Sequence, residues 1–449
     1  GLENVPAIAA RHGMTVLLGA WIGREHSKNQ AQLETAVRLA NEYPNTVRAI
    51  VVGNEVLLRR ERTAQDLAAY LAWARARTPV PLTYADVWEF WTRNPALARS
   101  VDFVTIHILP YWEDEPTANA AAPAYVVETW RRARQAFAGR EAFVGETGWP
   151  SAGRMREGAR PGRIEQARFF RELSRLAEKE EGLRYNLIEA FDQPWKRASE
   201  GTVGGHWGLF DTGRTVKFSW HGPVAPEPDW LFRFAAGEAL ALVLFVVAFS
   251  RPARTPPRAG RWLVLAFFIH AAGNLLVAHV GATVDASRTL VEWAIGAGGF
   301  AGGLVAAGFF VRALAHGFDA VAAPKPTAAV LAWLARPDRR GLDAPLALGL
   351  ARSVFLAAAL VHTLGLVFDG RYRGFPVAGY LVPAMVFAAL TWLEREARPT
   401  DAHGAALALV LAAGGIAVAV IEGSANHQAL AWTATALLLA APWLKPARS

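Results

Sequence analysis

Cysteine is absent from all 449 residues. No disulfide framework and no thiolate nucleophile can therefore be built, and the absence alone assigns no redox compartment. Two other signatures are missing. No Gly-x-Gly-x-x-Gly or Walker-type loop lies where a strand pattern gives way to a helix pattern, which argues against nucleotide binding on an open doubly wound sheet. No group of His, Asp and Glu has metal-ligand spacing, so neither a metal nor any other cofactor is expected. The formal net charge of +8 does not point to nucleic acid, because many of the C-terminal basic residues sit in short connectors between apolar runs.

What is present falls into two halves. Residues 1–228 read as an ordinary globular domain, and residues 229–449 as a membrane domain of long apolar runs. The first half alternates strand and helix patterns. Met14–Trp21, Val47–Gly53, Pro81–Ala85, Val101–Ile108, Ala142–Gly145 and Asn186–Phe191 are expected strands. Helices are expected at Val5–His12, Asn29–Glu42, Thr63–Arg77, Ala124–Phe137 and Arg163–Lys179, with a short one opened by Asn94-Pro95. Thr63 with Asp66 three residues on reads as a capping box. Six β-runs with intervening helices predict an α/β fold with a parallel sheet.

Two carboxylates end such runs. Glu55 follows Val52-Gly-Asn, and Glu146 stands in Gly145-Glu-Thr-Gly-Trp-Pro-Ser151. Catalytic groups of (β/α)8 barrels sit at the C-terminal ends of strands. A retaining glycosidase needs two carboxyl groups about 5 Å apart, one to protonate the leaving oxygen and one as nucleophile. A tryptophan-rich chain with carboxylates so placed points to acid/base chemistry on a sugar.

These segments, with Phe191-Asp-Gln-Pro-Trp-Lys196, His206-Trp-Gly-Leu-Phe-Asp211 and Leu109-Pro-Tyr-Trp112, resemble glycoside hydrolase family 17, the β-1,3-glucanase-like enzymes. The likeness covers about residues 1–220 and is similar to the bacterial membrane-attached form linked to β-1,3/1,6-glucan synthesis or remodelling. It implies a (β/α)8 barrel in which the six runs are strands 3–8, so that two βα units and any signal or anchor segment are expected upstream of Gly1. It implies Glu55 as general acid/base, Glu146 as nucleophile and Asn54 as a hydrogen-bond partner of the sugar 2-hydroxyl. Tyr111 is placed to orient the nucleophile. Trp149 is a candidate stacking platform, as are Trp112, Trp195, Trp88 and Trp91 more weakly, with core packing as the alternative for each. Asp192 and Lys196 are candidate substrate contacts after the last strand. Glu189, inside that strand, is either a third acidic group or the partner of a buried Arg. His107 reads as a core histidine, and Arg154–Glu165 as a solvated loop or a cleft wall.

Seven apolar segments are expected to span a bilayer: about 232–250, 262–284, 290–314, 345–368, 375–393, 404–421 and 428–444. Arg251, Arg254, Arg258 and Arg261, then Lys325, Arg336, Arg339 and Arg340, then Arg395 and Arg398, and finally Lys445 and Arg448 mark one side. The opposite connectors hold only Arg288, Arg371 and Arg373. Positive charge marks the cytoplasmic side, which implies an inner-membrane protein with a periplasmic catalytic domain and a cytoplasmic C-terminus. His270, Asn274, His279, Glu292, His362 and Glu422 are polar residues in or near spans, and such residues are functional candidates. His270 and Asn274 share a helix face that would line a cavity. Gly296–Gly303 offers small residues for helix contacts. The leading reading is a membrane-bound retaining enzyme cleaving β-1,3-glucan. A transglycosylase or β-1,6-branching synthase using the same intermediate, and a non-catalytic glucan-binding export platform, are the alternatives. Expected partners are β-glucan, the bilayer and glucan-synthesis or export proteins.

Overall fold

The structure is a computed structural model that describes residues 2–250, 258–317, 324–335, 342–393 and 401–444. Of the basic residues assigned to connectors and tail, Arg251, Arg254, Arg336, Arg339, Arg340, Arg395, Arg398, Lys445 and Arg448 lie outside the described residues. The chain forms two compact units. The first comprises Gly1–Trp149, Ile164–Asp192 and Trp207–Gly222; the second comprises Pro150–Arg163, Gln193–His206 and Pro223–Ser449.

The first unit is built on six strands: β1 (Val16–Ala20), β2 (Val47–Asn54), β3 (Leu82–Val87), β4 (Phe103–His107), β5 (Glu141–Thr147) and β6 (Arg184–Leu187). They pair in parallel and in chain order, β1 to β6. The intervening helices are α1 (Val5–Arg11), α2 (His26–Glu42), α3 (Ala64–Arg75), α4 (Trp88–Arg93), α5 (Ala122–Ala136) and α6 (Arg163–Ala177). Apolar residues at helical spacing decide which face each helix buries. On α2 these are Leu33, Ala36, Val37 and Ala40; on α5, Val126, Trp130 and Ala133. The sheet contributes Ile50, Val52, Val104, Ile106 and Val144, all fully buried. Each aliphatic chain so buried contributes about 1.5–3 kcal/mol. Thr63 caps α3 in the expected box with Asp66.

Trp91 of α4 drops into the core and donates from its indole N–H to Thr105 O at 2.7 Å. One detail differs from expectation. The last strand ends at Leu187 rather than Phe191. Ile188 N still bonds Thr147 O of β5 at 2.8 Å, and from Glu189 on the backbone bonds residues 207–210 instead, through Leu209 N–Glu189 O at 2.8 Å and Phe210 N–Ala190 O at 2.9 Å. Glu189 therefore lies outside the strand.

The second unit is helical. Its main elements are α7 (Arg197–Glu200), α8 (Trp230–Ala248), α9 (Ala259–Ala286), α10 (Leu290–His316), α11 (Thr327–Ala335), α12 (Ala344–Phe368), α13 (Val377–Leu393), α14 (Ala402–Glu422) and α15 (His427–Leu444). Each of the seven apolar segments falls on a helix. Among the described residues, α8, α9, α10, α12 and α14 are long and apolar enough to cross a membrane. Small residues allow close approach between helices. A Cβ on Gly273 would stand 2.2 Å from Gly237 O, and one on Gly296 would meet Thr283 at 2.3 Å. Gly296, Gly299, Gly302 and Gly303 thus serve helix contacts, as the sequence suggests, while Gly298 faces open space.

Candidate active site

Glu55 and Glu146 are brought together by strand pairing. Asn54 ends β2, and the chain then turns at Glu55, whose φ is 52°. Gly53 before it has φ 87°, and a Cβ there would meet Val56 Cγ2 at 2.8 Å, so glycine alone fits. Glu146 stands near the end of β5, in register with His107 of β4. A carboxylate oxygen of Glu55, a ring nitrogen of His107 and a carboxylate oxygen of Glu146 all lie within 4.8 Å of one another.

His107 is the buried histidine read from the sequence, and it also faces the two carboxylates. Its Nε2 lies 2.7 Å from Asn54 Oδ1 and 3.8 Å from Glu146 Oε1. Burial lowers its pKa and keeps the ring neutral. The neutral tautomer that suits this geometry donates Nε2–H to Asn54 and leaves Nδ1 bare, and Nδ1 has no hydrogen-bond partner. The amide of Asn54 is then oriented with its NH2 group as the remaining donor. Gly145 makes room for this ring, since a Cβ would lie 2.5 Å from Thr105 Cγ2 and 3.0 Å from His107 Cε1.

Burial raises the Glu55 pKa above the usual carboxylate range. The charges of Glu146 and Asp86 add to the rise, while Arg59, and His107 when protonated, oppose it. Arg59 Nη1 is 3.9 Å from Glu55, and its guanidinium stacks 4.4 Å above the ring of Trp21. Asp86, wholly buried at the end of β3, accepts from Leu57 N at 3.2 Å and Leu58 N at 3.4 Å and is also bonded by Tyr84 Oη. That unit fixes the first turn after Glu55.

The other site expectations divide. Trp149 is fully buried, with its ring 5.8 Å from that of Phe169, so it cannot present a face to a sugar. Tyr111 is equally buried among Trp112, Trp149 and Trp207. Trp112 is half-buried and stacks on Trp207. Trp91 is core, and Trp88 is half-buried. Asp192 is a structural anchor rather than an open contact: Lys217 Nζ lies 2.5 Å from it and Gly208 N donates to it at 2.9 Å, both inside the protein. Trp195 is 68% exposed with Lys196 Nζ 5.9 Å from its ring, and both belong to the second unit.

Three features were missed. Trp21, directly after β1, is 55% exposed and is the aromatic face that Trp149 is not. Its signal was available, as the last residue of a predicted strand. A carboxyl pair, Glu89 and Glu113, shares a hydrogen bond, and Tyr125 donates to Glu113. Burial first, and then the charge of Glu89, pushes Glu113 up to about 7. In the helical unit, Glu238 of α8 lies 2.5 Å from His270 Nδ1 and accepts from Asn274 Nδ2 at 3.2 Å. With Phe234, Phe267 and Ala271 they line a cavity of about 350 Å³, so the expected His270–Asn274 face has a carboxylate at its centre. His279 and His362 each bond a helix carbonyl, and Glu292 caps α10.

Residues 1–208 match the family model described as the BtgE/BtgC glycoside hydrolase domain. The glucan 1,3-beta-glucosidase of Saccharomyces cerevisiae is 26% identical over 242 residues, covering 49% of this chain and 76% of that protein. A probable beta-glucosidase btgE of Aspergillus fumigatus is 26% identical over 222 residues, covering 47% of this chain and 37% of that protein. A solved glycoside hydrolase family 17 β-1,3-glucanosyltransferase from Rhizomucor miehei is 24% identical and covers 48% of this chain and 79% of that chain, with a TM-score of 0.41. The chain is an enzyme of the glycoside hydrolase or transferase type.

Proposed function

We propose that the protein cleaves β-1,3-glucosidic bonds of a β-glucan by a retaining mechanism. The observation that carries this reading is the carboxylate pair: oxygens of Glu55 and Glu146 within 4.8 Å of each other, at the short separation that leaves no room for an intervening water. Glu146 attacks the anomeric carbon, the glycosidic C–O bond breaks, and Glu55 gives its proton to the departing oxygen. Glu55, now a carboxylate, takes the proton of an acceptor hydroxyl that attacks the same carbon and displaces Glu146. The raised pKa of Glu55 suits the acid role. Asn54, oriented by neutral His107, donates to the sugar 2-hydroxyl. Tyr111 holds the nucleophile, and Trp112, Trp195 and Lys196 contact more distant sugars.

Water as acceptor gives hydrolysis, and a sugar hydroxyl gives a longer or branched glucan. The exposed rings of Trp21 and Trp195 offer binding faces for sugars and keep transfer as the second reading. We read the six strands as strands 3–8 of a (β/α)8 barrel within residues 1–228, and residues 229–449 as seven spans of a bacterial inner membrane. The catalytic domain is then periplasmic and the C-terminus cytoplasmic, in keeping with Arg258, Arg261 and Lys325 on one side of the spans. The test is product analysis of the detergent-solubilised protein with β-1,3-gluco-oligosaccharides beside Glu146→Gln. Shorter sugars identify a hydrolase, and longer or branched ones a transglycosylase. Loss of either activity in Glu146→Gln supports the mechanism. No turnover by the wild type overturns the β-1,3-glucan reading and favours a glucan-binding export platform.

A further inference from the structure

Two chain segments that follow strands of the first unit belong to the helical unit: Pro150–Arg163 after β5, the strand of Glu146, and Gln193–His206 after β6. The sequence suggests a solvated loop for the first, yet Arg154, Met155 and Arg156 are all buried. Arg154 forms an ion pair with Glu422, the last residue of α14, with side chains only 6% and 10% exposed. It also donates to Arg373 O at 2.6 Å and lies 4.8 Å over the ring of Phe375. The turn between α14 and α15 and the start of α15 then bond the loop backbone. Asn426 donates to Met155 O at 3.0 Å, Gln428 accepts from Met155 N at 2.8 Å, and Gln428 donates to Gly153 O at 3.1 Å. Asn426 donates to Glu422 as well, at 2.8 Å.

The second segment is held by different turns. Arg197 donates to Val284 O at 3.2 Å and to Asp285 O, at the end of α9. Arg288, between α9 and α10, donates to Arg197 O at 3.0 Å. Gly201 packs so closely that a Cβ would lie 2.1 Å from Tyr372 O, in the turn between α12 and α13. Three helix-to-helix turns thus build both segments.

We propose that the helical unit is a positioning scaffold for glucan binding: it fixes the segments after β5 and β6, and with them Trp195 and Lys196, through the Arg154–Glu422 pair and the Asn426–Gln428 backbone clamp. This rests on the functional reading above. Arg154 and Glu422 are positioning residues, since neither touches the reacting atoms. A buried pair that loses one partner leaves an uncompensated charge, whereas removing both charges restores a neutral interior. Glu422→Gln takes the carboxylate from the Arg154 guanidinium and loosens the loop. Arg154→Met with Glu422→Gln lets it seat again.

The experiment uses the full chain in detergent. Wild type, Glu422→Gln and the double variant are compared on a long β-1,3-gluco-oligosaccharide and on a short aryl β-glucoside. The long substrate should show KM raised at least tenfold in Glu422→Gln and restored to within about threefold in the double variant. kcat on the short substrate should stay within about twofold throughout. In parallel, tryptic cleavage after Arg156 should accelerate at least tenfold in the single variant and return in the double variant. This cleavage needs no turnover, so it tests the scaffold even where the glucan reading fails. Unchanged cleavage after Arg156 overturns the scaffold. So does a parallel loss on both substrates that the double variant does not rescue, which would mark the pair as a fold element only.

Discussion

Replacing Glu113 by Gln should stabilise the protein in alkali and leave its stability in acid unchanged. The folded carboxyl titrates at about 7 against an ordinary 4.5, because burial disfavours its charge and Glu89 repels it. Below the ordinary value the group is protonated in both folded and unfolded chains, and its stability contribution is fully present. As pH rises toward 7 the unfolded chain releases the proton while the folded chain holds it, so stability falls. At 1.36 kcal/mol per unit, the loss reaches about 3 kcal/mol above the folded value, an upper figure because solvent at this half-buried site screens the charge. Gln keeps an acceptor for Tyr125 and a donor toward Glu89 but never charges. Thermal unfolding of wild type and Glu113→Gln in detergent should therefore give nearly equal midpoints near pH 4. Near pH 9 the variant should melt higher by roughly 5–10 °C. A gap of the same size at both pH values refutes the reasoning, because it would arise from packing rather than from ionisation. The variant also separates alkaline unfolding from the alkaline loss of activity that Glu55 should cause.

The catalytic pair makes its own pH prediction. Glu55 must hold a proton to act as acid and its pKa is raised, so the falling limb of kcat/KM should lie above the usual glutamate range; Arg59→Gln removes a cation 3.9 Å away and should move that limb to still higher pH. A limb unmoved or shifted downward in the variant counts against the assignment. Gly145→Ala places a methyl 3.0 Å from the His107 ring and should cost about 1–3 kcal/mol in stability and roughly a hundredfold in kcat, read from melting and initial rates; wild-type kcat in the variant would remove His107 from the site. Trp21→Ala should raise KM for oligosaccharides roughly three- to tenfold, the worth of one aromatic contact, with kcat on a short aryl glucoside unchanged; equal KM values for the two proteins would return Trp21 to a surface role.

The sheet was readable because each strand is a short run of buried β-formers bounded by turn residues, and a parallel sheet buries both faces of such runs. The carboxylates were readable because position at a strand end carries chemistry in barrels. What failed has one physical cause, which is that facing direction and distant partners are not local properties. Trp149 follows the nucleophile as a platform would, yet its ring points to Phe169 and the core. Asp192 sits where a substrate contact is expected, but Lys217 takes its charge. His107 has the period-2 position of a core residue, and only the register with Glu146 on the neighbouring strand shows that it faces the carboxylates.

The largest unreadable feature is Arg154, in a run of charged residues that resembles any exposed loop. A guanidinium that enters a protein interior needs partners there, an acid above all, because an uncompensated buried charge costs several kcal/mol. Its acid is Glu422, 268 positions away at the end of an apolar helix, where the sequence alone presents an intramembrane glutamate with no stated partner. Each residue was anomalous by itself, the one a charge cluster after a catalytic strand and the other a carboxylate in a span. Two unexplained charges of opposite sign, in segments with no local reason to hold them, are together an argument for contact. The same test applies to Glu238 and His270, where an acid in one apolar helix finds an imidazole in the next. Reading a membrane helix for charges that lack a local partner, and then searching the soluble loops for the complementary charge, would have reached Arg154 before any fold was known.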